Sequence, residues 1–346
     1  MPGANAPARN VRPDLAPNLT LLIAAALGRP VRPDERLAVA TSGGPDSLAL
    51  LTLAVAAFPG RVTALTVDHR LRAESAAEAS AVAAQCSARN LAHVTLVRCG
   101  PEFAANRQAR ARAARYALMG DWCAQHGHGL LLTAHHADDQ AETVLMRLNR
   151  GSGSNGLAGI RTARPLRPEV MLVRPLLGCR KAELVAIAAA AGWRQVDDPS
   201  NHDPHHDRTR IRALLAATPA LDAAALAHSA AHLAAEAEAL AWAADRAWQG
   251  RVRNRDGALL VDAGGLPAAL VQRLLARAVE TLAGRPARGS DIARLAARLE
   301  AGQAGKVAGT VAGILVRGGQ IWQLSVTRPP QNGSKSPQNG SGVEAE

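Results

Sequence analysis

The chain has 346 residues and a mass of 36.0 kDa, which at about 100–200 residues per domain predicts two domains. Hydrophobic residues make up 48% and charged residues 20%, as is typical of a globular protein with a sizeable core. No run approaches the ~18 consecutive apolar residues of a membrane-spanning helix. The four cysteines stand singly without a CxxC pair, which argues against a disulfide framework and predicts a reducing, cytoplasmic location.

The charge balance is strongly basic. Lysine and arginine number 40 against 29 acidic residues, so the formal net charge is +11. This excess favours a polyanionic partner such as a nucleic acid, although an arginine-rich genome is an alternative explanation. Aromatic residues at 2% argue against base-stacking modules, which need exposed rings.

The two ends of the chain have the composition of unstructured segments. Residues 1–18 are rich in Pro, Ala, Asn and Arg, and we expect a flexible arm. Residues 19–27 predict a short packing helix with Asn18 as its N-cap and Gly28 at its end. The tail 329–346 repeats Pro-Gln-Asn-Gly-Ser and is expected to be disordered.

In the first half, short apolar strands alternate with helices. The predicted strands are Leu37–Thr41, Val62–Val67, Val94–Val97 and Leu130–Ala134, with helices between them and after the last. This alternation predicts an α/β fold, with a parallel sheet covered by helices on both faces. Ligands of such sheets bind at the carboxyl ends of the strands, so the residues that follow each strand are candidates for the site.

A compact glycine turn, Ser42-Gly43-Gly44-Pro45-Asp46-Ser47, follows the first strand. The glycines allow a close backbone approach to an anion, and Pro45 suits the first helical turn. Free N–H groups and the positive end of the helix dipole then predict a phosphate site. Asp46 would repel phosphate unless it holds Mg²⁺. The hexapeptide resembles the SGGxDS loop of the PP-loop ATP pyrophosphatases, which implies cleavage of ATP between its α and β phosphates and an adenylated substrate.

Charged side chains also follow the later strands. Arg112 and Arg115 share a face of a long helix and could bind phosphate, or could form a solvated basic face. Asp138, Asp139 and Glu142 can crowd one helix end, where they would suit a cationic substrate, a metal or simply the helix dipole. The preceding pair of histidines also suggests zinc, but no distant Cys/His pair completes four ligands.

Seven blocks in order over 42–212 resemble the tRNA(Ile)-lysidine synthetase family. They are VDH…LR, ARxxRY, AHHADDQAET, RGSGxxGL, RPLL, DDPSN and RxRIR. The glycines of the RGSGxxGL block predict a flexible loop. The sequence departs from the family pattern at Arg70, where glycine is usual, and at Thr209, where RNRIR is usual.

The resemblance implies a two-step reaction on the wobble cytidine of a minor isoleucine tRNA with a CAU anticodon. The cytidine is adenylated on its C2 oxygen, and the amine of free lysine then displaces AMP at C2. The product, lysidine, changes codon specificity from AUG to AUA. The implied partners are this tRNA and L-lysine, and the implied cofactors are ATP and Mg²⁺. No membrane association is expected, and a homodimer is an open alternative.

The resemblance also assigns roles to the candidate residues. The implied ATP-binding residues are Ser42, Gly43, Gly44, Pro45, Asp46 and Ser47, with Asp46 on Mg²⁺. The implied catalytic residues are Asp46, Arg112, Arg115, His136 and Asp138. In these roles the arginines neutralise the α-phosphate and His136 helps to deprotonate the amine. The implied lysine-binding residues are Asp138, Asp139 and Glu142, and the implied tRNA-binding residues are Arg150, Arg208 and Arg212.

The second half is rich in alanine and poor in strands. It predicts a long helix over 220–248, a strand at 259–262, helices over 268–282 and 290–299, and two strands around Gly318-Gly319. The sequence itself predicts a smaller, mostly α-helical domain over 216–328 after an α/β domain over 19–215. The family resemblance implies that the first is a PP-loop ATP pyrophosphatase catalytic domain and that the second recognises the tRNA.

Three other functions were compared with this one. A thiolase of the PP-loop class would need catalytic or cluster-binding cysteines, and an amide-forming synthetase would need an ammonia source. A non-catalytic RNA-binding protein with a decayed ATP site would not need the intact loop and the acidic cluster.

Overall fold

The computed structural model describes residues 15–70, 74–100, 107–195, 207–301 and 307–326. Most of the expected arm, the expected tail at 329–346 and the DDPSN block lie outside these residues. The chain divides into two compact units, Met1–Ala235 and Glu236–Glu346, which are described separately. The functional domains 19–215 and 216–328 remain predictions.

The first unit contains six strands and eight helices among its described residues, and a ninth helix that crosses into the second unit. The strands are β1 (Leu37–Ala40), β2 (Val62–Asp68), β3 (Ala92–Val97), β4 (Leu130–Leu132), β5 (Ala163–Arg167) and β6 (Val170–Val173). The helices are α1 (Leu15–Leu27), α2 (Pro45–Ala57), α3 (Ser75–Ser87), α4 (Arg107–Gln125), α5 (Ala137–Asn149), α6 (Ser154–Leu157), α7 (Lys181–Ala190), α8 (Asp207–Ala217) and α9 (Ala223–Arg251).

The strands form one sheet in the order β3-β2-β1-β4-β6-β5. All neighbours pair in parallel except β5, which pairs antiparallel with β6 at the edge. The predicted parallel α/β sheet is confirmed. Strand β1 is central, and its neighbours are β2 and β4. The chain therefore reverses its direction of winding at β1, where open α/β sheets bind ligands.

Both faces of the sheet are buried, as a parallel sheet requires. In β4, Leu130 and Leu132 pack into the core beside α1, α2 and α7, whereas Leu131 packs with Met119 of α4 on the other face. This alternation is the period-two geometry of a strand. Because α2 lies deep in this core, the turn that precedes it has a fixed position relative to β1.

One local expectation for the first unit was wrong, and one hairpin was missed. Helix α1 begins at Leu15, so Asn18 lies inside it and is not its N-cap, although Gly28 does end it with a positive φ of 67°. The hairpin β5–β6 was not expected from the sequence. It extends the sheet beyond β4 and adds one more strand end, that of β6, to the ligand-binding edge.

The second unit packs helices against a small antiparallel sheet. Its remaining elements are β7 (Val252–Arg255), β8 (Ala258–Val261), α10 (Ala268–Ala283), α11 (Gly289–Ala301), β9 (Val307–Val311), β10 (Ile314–Arg317) and β11 (Trp322–Val326). The sheet order is β7-β8-β11-β10-β9. The predicted helical region is present, and β7 and β9 are strands that the sequence analysis missed.

Within the described ranges, no helix combines the length and the apolar character needed to cross a membrane.

Candidate active site

The predicted phosphate loop connects β1 to α2. Gly43 has a φ of 85°, a left-handed conformation that favours glycine, and Gly44 is the extended N-cap residue of α2. The Ser47 hydroxyl accepts a hydrogen bond from the backbone N–H of Ser42 at 3.1 Å and donates to the Gly44 carbonyl at 2.9 Å. No side chain caps the helix, so its first N–H groups can bind an anion.

Asp46 lies in the first turn of α2 and faces the start of α5. Its Oδ1 is buried and forms no hydrogen bond with any residue that the structure describes, and its Oδ2 lies 3.6 Å from Nε2 of His136. His136 is the N-cap residue of α5 and is buried. The structure thus brings together two predicted site residues that follow the neighbouring strands β1 and β4.

The His136 imidazole is surrounded by carboxylates, since Asp138 and Asp139 each lie 3.5 Å from a ring nitrogen. Burial opposes the charged ring, but hydrogen bonds with Asp138 and Asp46 and the charge of Asp139 outweigh it and raise the pKa of His136 to about 9. The raised pKa and the contacts with three carboxylates fit a role in holding those carboxylates in place. The role of His136 as a base stays a prediction.

Asp138 connects α5 to α7. Its Oδ2 accepts a hydrogen bond from the backbone N–H of Lys181 at 2.8 Å, and the Arg180 guanidinium lies 3.6 Å away. Burial raises the pKa of Asp138, but the hydrogen bonds from His136 and Lys181 dominate and lower it to about 2. One oxygen of this predicted lysine-binding carboxylate is thus bound to the start of a neighbouring helix.

Asp139 and Glu142 form ion pairs with two arginines of α8. Arg208 donates to Glu142 at 2.5 Å and to Asp139 at 2.6 Å, and Arg212 donates to the other oxygen of Glu142 at 2.7 Å. Glu142 is only 2% exposed. The carboxylates predicted for lysine are therefore paired with two of the arginines predicted for tRNA. The third, Arg150, is exposed and pairs with Asp207 at 2.9 Å.

The two arginines of α4 contact the ends of different strands. Arg112 donates to Nε2 of His135 at 3.0 Å, next to the end of β4. Burial and the nearby arginines lower the pKa of His135 well below its usual value, so the ring is neutral and can accept this hydrogen bond. Arg115 lies close enough to His69, after β2, to add to the effect of burial in lowering the pKa of that histidine.

At least two buried arginines at the same edge of the sheet were not among the predicted site residues, namely Arg98 after β3 and Arg174 after β6. Arg174 directly follows β6 and is 5% exposed. It belongs to the RPLL block, to which no role was assigned. Recognition of Val170–Val173 as a strand would have identified it, because it then follows a strand end as the other candidates do.

Comparison with known proteins first defines the class. Residues 16–218 match a family model described as a PP-loop domain. The solved structure of the U34-tRNA thiolase NcsA from Methanococcus maripaludis superposes with a TM-score of 0.53 at 16% identity, covering 64% of this chain and 78% of that one. The first unit therefore has the PP-loop ATP-binding fold.

Curated relatives narrow this class to one family. The chain is 47% identical to the tRNA(Ile)-lysidine synthase of Novosphingobium aromaticivorans over 80% of this chain and 85% of the relative. It is 42% identical to that of Zymomonas mobilis subsp. mobilis over 84% and 88%. The chain belongs to the tRNA(Ile)-lysidine synthase family, and the resemblance noted in its motifs is confirmed.

Proposed function

We propose that this protein joins L-lysine to C2 of the wobble cytidine in the CAU anticodon of a minor isoleucine tRNA. ATP first adenylates the C2 oxygen and releases pyrophosphate. The amine of lysine then displaces AMP and forms a carbon–nitrogen bond. Family membership supports this ligase activity. The observation that carries it is the convergence of the phosphate loop after β1 with the acidic start of α5 after β4.

Asp46 is suited to hold Mg²⁺ beside the phosphates. Its buried Oδ1 has no hydrogen-bond partner, and such an orphaned oxygen fits a cation ligand. The bound metal would neutralise the pyrophosphate that leaves. His136 keeps the other oxygen of Asp46 in position, and the N–H groups of the Ser42–Ser47 loop would bind the phosphates.

Arg112 and Arg115 are suited to neutralise charge on the α-phosphate, since both reach the ligand-binding edge from α4. Asp138, Asp139 and Glu142 remain the proposed residues for lysine. Because Asp139 and Glu142 pair with Arg208 and Arg212, an ammonium group would have to exchange with a guanidinium. The same arginines would then be available to phosphates of the tRNA, together with Arg150.

The reaction is tested by incorporation of labelled lysine into two transcripts in the presence of ATP and Mg²⁺. One transcript is the CAU-anticodon isoleucine tRNA and the other is elongator methionine tRNA. We expect lysine in the first alone, with release of pyrophosphate. Release of pyrophosphate without incorporation of lysine would indicate another nucleophile. The absence of both release and incorporation with both tRNAs would favour the RNA-binding alternative. A homodimer stays a prediction that sedimentation of the purified protein would check.

Asp46→Asn should abolish pyrophosphate release, because it removes the charge proposed to hold the metal, yet tRNA binding should be nearly unchanged. The matched control is Asp121→Asn, which alters an exposed carboxylate paired with Arg167. We expect the control to keep wild-type activity. Full pyrophosphate release by Asp46→Asn, measured with the isoleucine transcript, would contradict the metal role.

A further inference from the structure

Arg174 is a buried guanidinium that forms no ion pair with any described residue. Its Nη1 donates to the carbonyl of Arg161 at 2.7 Å, and its Nε is buried without a hydrogen-bond partner. Leaving a buried charge without an opposite charge is costly, and buried polar groups that lack partners need an explanation. A structural role for Arg174 would be served by its hydrogen bonds with the Arg161 carbonyl and with Tyr116, and neither of them uses the buried Nε.

The surroundings of Arg174 are positive. The guanidinium carbons of Arg112 and Arg164 lie 5.2 and 5.4 Å from the centre of the Tyr116 ring. Tyr116 also lies beside Arg174. In the part of the chain that the structure describes, none of these three arginines pairs with a carboxylate. Three cations around one phenol predict that an anion binds there.

Resting on the proposed function, we propose that Arg174 binds the α-carboxylate of the lysine substrate. Lysine is a zwitterion that needs a positive site for its carboxylate as well as the negative site proposed for its amines. Both sites lie at the end of β4. Arg112, which lies over the Tyr116 ring, donates to Nε2 of His135 at 3.0 Å, and the next residue, His136, lies 3.5 Å from Asp139, which Arg208 contacts. An amino acid placed beside His135 would reach both.

The position and burial of Arg174 favour a carboxylate as its ligand over the phosphates of ATP and over those of the tRNA backbone. The phosphate loop follows β1, whereas Arg174 follows β6, and the end of β4 lies between them. The ATP phosphates held by the Ser42–Ser47 loop would therefore bind on the other side of β4 from Arg174. A polynucleotide backbone would meet exposed arginines such as Arg150, whose side chain is 61% exposed, before one that is 5% exposed.

The test compares lysine with cadaverine, which is lysine with its carboxylate replaced by hydrogen. Wild-type enzyme should use lysine better than cadaverine by roughly 10- to 100-fold in kcat/KM, the value of a charge-assisted hydrogen bond. Arg174→Gln should lower kcat/KM for lysine by a similar factor. It should leave cadaverine within about twofold and leave lysine-independent pyrophosphate release intact. Arg167→Gln, an arginine on β5 that pairs with Asp121, is the matched control and should behave as wild type.

Other results would overturn the proposal in distinguishable ways. Equal use of lysine and cadaverine by the wild type would leave the ligase function standing and remove the carboxylate site. An equal loss with both amines would indicate a structural role, and a loss of pyrophosphate release without lysine would indicate the α-phosphate. If Arg174→Gln does not fold, the preference for lysine over cadaverine is measured in Arg174→Lys and in the wild type instead. The absence of any preference in the wild type would overturn the proposal. Failure of the wild type to transfer either amine would contradict the proposed function itself, and this assignment with it.

Discussion

Arg70 is a non-glycine residue in a backbone conformation that favours glycine. It follows β2 with a φ of 51°, in the left-handed region, at the position where the family pattern has glycine. A non-glycine residue there costs about 1–2 kcal/mol. Its backbone N–H donates to Asp68 at 2.8 Å, which holds the turn in place. The departure noted in the sequence is therefore a site of backbone strain.

Arg70→Gly should stabilise the protein by about 0.5–1 kcal/mol, because relief of the strain exceeds the extra chain entropy of glycine. Chemical denaturation monitored by circular dichroism would measure this change. Asn90 also has a positive φ, of 54°, but asparagine tolerates that region, so Asn90→Gly is the control and should gain less. A loss of stability in Arg70→Gly would mean that the arginine side chain contributes more than the strain costs.

The candidate site was predictable residue by residue where its members follow strands in a short motif. Asp46, His136 and Glu142 each stand in such a block, and the structure places them at one edge of the sheet. Their partners were not predictable. Arg208 lies 66 residues from Glu142 along the chain, and no local pattern indicates that α8 packs on α5 with its arginines inward. Tertiary packing alone decides such a pairing.

At the scale of elements, the glycine-rich block after α5 is more ordered than its composition indicates. It contains the short helix α6, and Arg147 donates to the carbonyls of Gly156 and Gly159 at 2.6 and 2.8 Å. Gln140 exchanges two hydrogen bonds with the backbone of Ile160, at 2.6 and 3.1 Å. Because both side chains belong to α5, the loop is fixed to the helix that carries the acidic residues.

Gly159→Ala should destabilise the protein by about 2–3 kcal/mol. Its φ is 65°, and a Cβ there would lie 2.3 Å from Oε1 of Gln140, so both hydrogen bonds of that side chain would break. Gly153→Ala is the matched control in the same loop, since a Cβ at that position meets no atom within 4 Å. Thermal melts of both variants would measure this difference. Equal melting temperatures would contradict the close packing of Gly159 against Gln140.

The missed edge strand β5 has a physical explanation. Strand β5 contains Pro165 and two arginines, a composition that disfavours a central strand. Proline is tolerated here because β5 is the edge strand and the register shifts between Pro165 and Arg167. The strands β1 and β4 were predictable because both faces of the sheet bury them, so they are continuously apolar.

At the scale of the whole molecule, the net charge of +11 is now explained by more than genome composition, because the family acts on tRNA. Several arginines are nevertheless used internally. Arg29 forms a bidentate ion pair with the buried Glu35, and Arg208 and Arg212 pair with α5. The charge available to a polyanion is therefore smaller than the formal value.

Salt should weaken tRNA binding steeply and ATP binding slightly. With about six phosphate contacts, affinity for tRNA should fall by roughly 10³-fold between 50 and 200 mM salt. Filter binding of the isoleucine transcript, with ATP binding to the same preparation as the control, would measure both. A salt-independent affinity for tRNA would show that the basic surface does not contact the phosphate backbone.

The sheet order also has a consequence for synthesis on the ribosome. The strand that carries the phosphate loop, β1, pairs with β2 soon after it is made, but its other edge waits for Leu130–Leu132. At ~5–20 residues per second, that delay is roughly 5 to 20 seconds. During it the nascent chain exposes an unpaired apolar edge next to an unfinished nucleotide site. The pace of translation through α3 and α4 therefore bears on how much of the enzyme folds before it aggregates.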